Sequence, residues 1–173
     1  VAIFIAAIID APSRALFQIL NPMIAETINK NDIPTLERLY KKSSSNLLLI
    51  SGIISVLICS NINDIYEIIY SLNLNNGFRL AIPVVFYISI CKLSSALVGC
   101  VNSIITNSKY YYMVPLFSIS SAIGVIFLNI FFINKIGFIG AAISTMIIIV
   151  LFNFLKLLFV MLKFKIRPFT KNT

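Results

Sequence analysis

Long apolar stretches alternate with short polar connections along the whole chain. A helix rises about 1.5 Å per residue, so roughly 20 apolar residues cover the ~30 Å hydrocarbon core of a bilayer. The pattern predicts five membrane spans, at residues 1–25, 47–62, 81–105, 113–133 and 138–162. Segments 32–42 and 64–72 repeat apolar residues at helical spacing among charged ones, which favours amphipathic helices at the membrane surface over solvated loops. We therefore predict an all-α fold, a single polytopic membrane helix bundle of about five spans.

Composition supports a membrane protein. Of the 173 residues, 59% are hydrophobic and 12% are charged, and the mean hydropathy is +0.97. Soluble domains carry about 45–50% apolar and about 25% charged residues. The net charge of +8 would favour nucleic-acid binding in a soluble protein. In a membrane protein, basic residues on cytoplasmic loops explain it, so we expect no nucleic-acid partner.

The basic residues are distributed unevenly among the predicted connections. Only Arg79 and Lys135 lie on one side; the other side holds Lys30, Arg38, Lys41, Lys42, Lys109, Lys163, Lys165, Arg167 and Lys171. Cytoplasmic connections are enriched in Lys and Arg, so the larger set marks the cytoplasmic side and the first span runs inward. Five spans of which the first runs inward do not fit a whole protein that begins in the cytoplasm. For this reason, and because the sequence starts with Val inside an apolar stretch, we expect an N-terminal portion of a longer protein to be missing.

Several classes of site have no support in the sequence. There is no His, which excludes His-based general bases and most zinc sites. Cys59, Cys91 and Cys100 lie in apolar spans without paired spacing and are expected to be buried thiols. No carboxylate pair, Gly-rich phosphate loop or nucleophile elbow is present. We therefore predict no metal, no cofactor and no enzymatic activity.

The candidate site lies in the first span. Asp10 and Arg14 are four residues apart, so on a helix they share a face and are expected to pair, with a kink at Pro12 between them. Charged residues at bilayer depth are costly unless they face protein or a wet cavity. Lys92, near the middle of the third span, is a second candidate cation. For Asp10 and Arg14 the alternative is an internal ion pair that only fixes helix packing. For Lys92 the alternative is a pairing with a neighbouring helix or a backbone carbonyl.

Other polar residues in the spans are predicted to hold helices together. Asparagines in spans commonly form interhelical hydrogen bonds, and the candidates are Asn102, Asn107, Asn129 and Asn153. Small residues at the start of the last span share one helical face and allow close approach of a neighbouring helix: Gly137, Gly140, Ala141 and Ser144. Lys156, in the last third of that span, is predicted to snorkel toward the headgroups.

Four segments in order carry a family resemblance: Asn21-Pro-Met-Ile-Ala-Glu26, the Asn-Asp-x-x-x-Leu-x-x-Leu-Tyr-Lys-Lys-Ser-Ser segment at 31–44, the segment 102–111 and Ile136-Gly-Phe-Ile-Gly-Ala-Ala-Ile-Ser-Thr145. Together they resemble the C-terminal half of the lipopolysaccharide and O-antigen flippases of the Wzx-like polysaccharide-biosynthesis family. That family belongs to the multidrug/oligosaccharidyl-lipid/polysaccharide (MOP) exporter superfamily. The resemblance covers essentially the whole chain and is carried by helix ends and loops.

The resemblance implies a two-lobe transporter of the MATE and MurJ type, of which this chain would be the C-terminal lobe without its first helix. Its inner helices would enclose a cationic cavity together with an N-terminal lobe of the same chain. The implied function is translocation of a lipid-linked oligosaccharide, an O-antigen or exopolysaccharide repeat unit on a polyprenyl diphosphate. The transport would use alternating access across the bacterial inner (plasma) membrane.

For that function, Arg14 would bind the diphosphate, because its planar guanidinium can donate paired hydrogen bonds to phosphate oxygens. Asp10 would position Arg14, limit the binding strength and, as the only acid in the spans, offer a site for proton or ion coupling. Lys92 would be the second cation. Two other functions stay open: a MATE-type exporter of small molecules or cations, which would need acids and aromatics in its cavity, and a non-catalytic membrane subunit of a polysaccharide assembly system.

Overall fold

The structure is a computed structural model that describes residues 7–71 and 82–166. Within these ranges the chain is helical and contains no β-strand. A short 3₁₀ helix, Ile8–Asp10, is followed by seven α-helices: α1 Ala11–Asn29, α2 Ile33–Ser60, α3 Ile62–Ser71, α4 Ile82–Val98, α5 Val101–Thr106, α6 Met113–Ile136 and α7 Phe138–Phe164. The predicted all-α class is confirmed.

Three helices are long and apolar enough to cross a membrane: α2, α6 and α7. The helix α4 is also apolar and has 17 residues. The chain is thus a helical membrane bundle, but the described residues supply three such helices and one shorter helix instead of five. The helix of the first predicted span, α1, is not among them, because it carries Arg14, Gln18, Asn21 and Glu26. Residues 1–6 and residue 81 of the predicted spans lie outside the described ranges.

The helix α2 joins two segments that the sequence pattern separates. The predicted surface segment 32–42 and the predicted span 47–62 lie largely in one helix of 28 residues, about 42 Å long. The serines between them, Ser43 and Ser44, are buried. Ser43 Oγ donates a hydrogen bond to the Tyr40 carbonyl oxygen at 2.9 Å, which satisfies its hydroxyl within the helix. The predicted break at residues 43–46 is therefore absent.

The third predicted span, 81–105, is interrupted between α4 and α5. Gly99 has φ of +60°, a left-handed conformation that residues with a Cβ rarely adopt. A Cβ at this position would also collide with Ser44 Oγ on α2. Close packing of α2 on this glycine accompanies the end of α4. The second predicted surface segment, 64–72, lies largely within α3.

Two clusters of buried apolar side chains lie at opposite ends of the bundle. The larger one joins the later part of α1, the start of α2, α5 and the later part of α7; its fully buried members include Ile24, Leu36, Tyr40, Ile104 and Val160. The smaller one joins the 3₁₀ helix to the end of α2, to α3 and to the start of α4; its members are Ile9, Ile58, Tyr66 and Val85. Therefore α1, α4 and α7 run toward the larger cluster and α2 runs away from it.

Basic residues at helix ends collect around the larger cluster, and we call this the basic end. In the described part of the chain they are Lys30, Arg38, Lys41, Lys42, Lys109, Lys163 and Lys165, whereas Lys135 lies at the opposite end. Arg79, Arg167 and Lys171 lie outside the described residues. The described members of the two sets that the sequence assigns to opposite sides of the membrane thus lie at opposite ends of the bundle.

The last two helices form a tight hairpin through small residues. A Cβ on Gly140 of α7 would lie 2.6 Å from the carbonyl carbon of Phe132 on α6. One turn later, Ser144 Oγ donates a hydrogen bond to Asn129 Oδ1. The predicted close approach on this face is confirmed. The helix α6 has no buried residue and packs mainly on α7, so most of its apolar surface remains free for lipid.

The N-terminus of α2 is capped by Asp32, whose Oδ1 accepts a hydrogen bond from the Thr35 backbone N–H at 3.1 Å. We expect Asp32→Ala to lower the thermal unfolding midpoint, because this N–H loses its acceptor, whereas Asp32→Asn keeps an acceptor oxygen and most of the stability. Hydrogen bonds from the side chain and backbone of Thr35 hold the pKa of Asp32 below its usual value.

The stabilisation from the Asp32 carboxylate is therefore present at neutral pH and is lost as the pH falls through the lowered pKa of the folded state. The difference in midpoint between wild type and Asp32→Ala should shrink on acidification. Far-UV circular dichroism of the detergent-solubilised protein at a series of pH values measures it. Equal midpoints for the two proteins at neutral pH would show that the cap contributes nothing.

Candidate functional site

The carboxylate of Asp10 pairs with the ammonium of Lys92 and not with Arg14. Asp10 ends the 3₁₀ helix and precedes α1, whereas Lys92 lies on α4, and their side chains form an ion pair. The side chains are 22% and 30% exposed, so the pair is partly shielded from solvent. The predicted pairing of Asp10 with Arg14 is wrong. The carboxylate instead reaches a residue 82 positions later in the chain.

Pro12 marks the start of α1 instead of a kink within it. It lies in the first turn of α1, directly after the 3₁₀ helix. A proline at this position costs little, because the backbone N–H groups of a first turn have no partner in the helix. In place of the expected kink between Asp10 and Arg14, the chain changes from a 3₁₀ helix to an α-helix at the start of α1.

The guanidinium of Arg14 has no compensating carboxylate side chain. It is exposed. All six acidic residues of the chain lie in the described ranges, and none of them forms an ion pair with it. A charge on a helix of a membrane bundle is expensive in hydrocarbon and is tolerated where it faces water or other protein. We therefore expect the face of α1 that carries Arg14 to contact water or protein instead of lipid tails.

A separate hydrogen-bonded link between α4 and α7 lies one turn from the ion pair along α4. Ser95 lies three residues after Lys92, so the two share a face of α4. The amide Nδ2 of Asn153, on α7, donates to Ser95 Oγ at 3.0 Å and to Ser94 Oγ at 2.8 Å. Asn153 thus joins α7 to α4, as predicted for an interhelical asparagine.

A second link joins α1 to α5. Ser103 Oγ donates a hydrogen bond to Asn21 Oδ1. Asn21 lies seven residues after Arg14, so it is on the same face of α1. We call these residues together the polar wall: Asp10, Arg14 and Asn21 on or next to α1, Lys92 and Ser95 on α4, Ser103 on α5, and Asn153 on α7.

The polar wall extends along the helix axes of the bundle. Both α1 and α4 run toward the basic end, so positions on them can be compared by residue count. Arg14 lies four residues, about 6 Å, beyond Asp10, and Ser95 lies three residues, about 4.5 Å, beyond Lys92. Arg14 and the Ser95–Asn153 hydrogen bond therefore lie at similar depth, one turn nearer the basic end than the ion pair.

The remaining predicted asparagines have separate roles. Asn129 links α6 to α7 through Ser144. Asn107 instead donates to the Ser103 carbonyl oxygen at 2.8 Å, within its own turn. Asn102 is exposed, and its carbonyl oxygen accepts from Thr106 Oγ1. Of the four, only Asn129 and Asn153 act as interhelical links in the described part of the chain.

Sequence reasoning missed Asn21, Ser95 and Ser103 as members of the polar wall. The available signal was their spacing: Ser95 follows Lys92 by three residues and Asn21 follows Arg14 by seven. It also interpreted Lys156 as a snorkelling lysine. Lys156 lies three residues after Asn153 and is half-buried, without an ion pair or hydrogen bond among the described residues.

The described residues contain no group of three or more His, Cys, Asp or Glu side chains that could hold a metal ion. The three cysteines are free thiols; Cys91 and Cys100 are buried and Cys59 is partly exposed. Cys100 Sγ lies 3.3 Å from Ser43 Oγ. The chemistry that the polar wall offers is therefore ionic and hydrogen-bonding.

A comparison with known proteins finds no matching family, no matching curated protein and no matching solved structure. The Wzx-like resemblance thus stays a prediction from the sequence segments that carry it.

Proposed function

We propose that this protein is a membrane transporter that translocates a lipid-linked oligosaccharide across the bacterial inner membrane by alternating access. The observation that carries the proposal is the exposed, unpaired Arg14 on the polar wall of a helical membrane bundle. A lipid-linked oligosaccharide carries a diphosphate and a hydroxyl-rich sugar chain, which cannot cross hydrocarbon unaided because removing their water costs too much. A wall of cations, amides and hydroxyls beside apolar helices suits both parts.

Arg14 is the main contact for the diphosphate in this proposal. Its planar guanidinium can donate two parallel hydrogen bonds to phosphate oxygens. The amide and hydroxyl groups of Asn153 and Ser95, at similar depth, suit the hydroxyls of the attached sugar. A cation exporter would instead need a free carboxylate, and Asp10, the acid on the polar wall, is bound to Lys92.

Asp10 and Lys92 act as a unit in this mechanism. With Asp10 ionised, Lys92 is neutralised and binds an anion weakly. Protonation of Asp10, or displacement by the substrate, frees the ammonium for the diphosphate. Asp10 is thus the proposed site of proton coupling, and its role changes from positioning Arg14 to controlling Lys92. One side of the polar wall is exposed, and we propose that a second lobe of the same chain covers it.

Replacing Arg14 tests the proposal. We expect Arg14→Met to reduce transport by about 100-fold or more, as for loss of a bidentate charged contact, and Arg14→Lys to recover only part of it. The measurement is complementation of a flippase-null strain by the complete reading frame, with membrane levels of each variant checked by immunoblot. The matched control is Arg38→Met, an exposed arginine on α2 away from the polar wall. Full complementation by Arg14→Met would overturn the site.

A further inference from the structure

Lys156 is a second cation without a counter-charge inside the bundle. It is the nineteenth of the 27 residues of α7 and is half-buried. The acidic residues all lie in the described ranges, and none of the ion pairs that the structure describes involves Lys156. Lys92 is neutralised by Asp10, whereas the ammonium of Lys156 has no such partner.

The hydrogen bonds of Asn153 fix the position of Lys156 relative to the polar wall. The helices α4 and α7 both run toward the basic end, and Asn153 bonds to Ser95. Lys92 lies three residues before Ser95 and Lys156 lies three residues after Asn153. At about 1.5 Å per residue, the two lysines are therefore separated by about 9 Å along the bundle. Lys156 lies nearer the basic end.

Snorkelling does not explain Lys156 well. Eight residues of α7, about 12 Å, follow Lys156 up to and including Phe164 at the helix end. In an α-helix the Cα–Cβ bond is tilted toward the N-terminus, which here is away from the basic end. The side chain therefore starts in the direction opposite to the nearest headgroups. A charge in this place needs a wet or anionic neighbour.

We propose that Lys156 is a further anion-binding residue beside the polar wall, for the diphosphate of a polyprenyl diphosphate, at a depth nearer the basic end than the Asp10–Lys92 pair. This inference rests on the proposed function. Lys156 is the first uncompensated cation on α7 that a diphosphate meets inside the bundle when it enters from the basic end. The diphosphate then passes Arg14 and reaches Lys92, where it competes with Asp10.

The order of these cations favours transfer of the diphosphate from Lys156 past Arg14 to Lys92. At Lys156 and Arg14 the anion meets free positive charge, so binding is strong. At Lys92 it must displace a carboxylate, so binding is weaker and release is easier. The hydroxyl and amide groups between the two lysines, on Ser95 and Asn153, contact whatever neutral part of the ligand follows the diphosphate.

Equilibrium binding tests the role of Lys156. The complete protein is placed in nanodiscs of zwitterionic phosphatidylcholine, and binding of a fluorescent farnesyl diphosphate is followed by anisotropy, with empty nanodiscs as background. We expect Lys156→Met to raise the Kd at least about tenfold, as for loss of one charge-assisted hydrogen bond, and Lys156→Arg to stay close to wild type. The matched control is Lys163→Met, two turns later on the same helix and exposed. Size-exclusion profiles confirm that each variant is folded.

Competition with inorganic diphosphate or phosphatidylglycerol distinguishes a diphosphate ligand from ordinary membrane lipid. Inorganic diphosphate should displace the probe from wild type and displace it much less effectively from Lys156→Met. An unchanged Kd in folded Lys156→Met would overturn the role of Lys156 and leave the proposed function standing. Failure of wild type to bind the probe would overturn both. Displacement by phosphatidylglycerol but not by inorganic diphosphate would assign Lys156 to ordinary membrane lipid and also overturn the inference.

Discussion

Lys92→Met alone should destabilise the protein, and adding Asp10→Asn should restore most of the loss. The single change leaves the carboxylate of Asp10 partly buried without its counter-charge. Fully buried pairs lose about 3–5 kcal/mol when one partner is removed. Because these side chains are 30% and 22% exposed, we expect a smaller loss, about 1–3 kcal/mol. The double variant leaves no charge at either position 10 or position 92, and it has a Met of similar length in place of Lys.

A thermal scan with a thiol-reactive fluorogenic dye measures these stabilities, because Cys91 and Cys100 are buried thiols that unfolding exposes. The four proteins, wild type, both single variants and the double variant, give the coupling energy directly. Lys135→Met, an exposed lysine at the opposite end of the bundle from the basic end, is the matched control. Additive losses in the double variant would mean that the two residues do not stabilise each other.

Alanine at Gly140 should destabilise the α6–α7 hairpin, whereas alanine at Gly52 should not. At Gly140 the added Cβ would lie 2.6 Å from the Phe132 carbonyl carbon, so the two backbones must separate, at a cost of about 1–3 kcal/mol. At Gly52, in the middle of α2, a Cβ meets no atom within 4 Å. There the change should stabilise by about 0.5–1 kcal/mol, because glycine is a poor helix former.

The same dye assay compares Gly140→Ala and Gly52→Ala, and the opposite signs are the informative result. Loss at both positions would indicate that glycine is needed in these helices for some reason other than space. Equal stability of Gly140→Ala and wild type would mean that the hairpin tolerates a wider separation than the structure has.

Apolar patterning predicts the membrane bundle and most helices, because a helix that lies in lipid is one long, continuous apolar stretch of the sequence. The link between α6 and α7 is equally local, since Gly137 separates two apolar runs and the small residues after it allow close approach. The continuity of α2 was missed because Ser43 and Ser44 look polar in sequence. In the fold their small size permits packing against Gly99 and Cys100.

The partner of Asp10 could not be predicted from spacing. Helical periodicity indicates which residues a few positions apart share a face, and it therefore predicts that Asp10 pairs with Arg14. The true partner is on another helix, and only the packing of the 3₁₀ helix against α4 brings the two together. The same limit applies to Asn21 with Ser103 and to Ser95 with Asn153. The charged residues of the site were visible in sequence, but their pairing is tertiary.

The contrast between α1 and the α6–α7 hairpin has a consequence for biogenesis. Two very apolar helices joined by a tight turn can leave the translocon together and remain in the bilayer without help from the rest of the chain. The first helix cannot do so equally well, because the carboxylate of Asp10 has no counter-ion until Lys92 has been synthesised. The helix α1 is therefore synthesised before the residue that neutralises the carboxylate of Asp10. Nascent chains that end before α4 should hold α1 in the membrane only loosely.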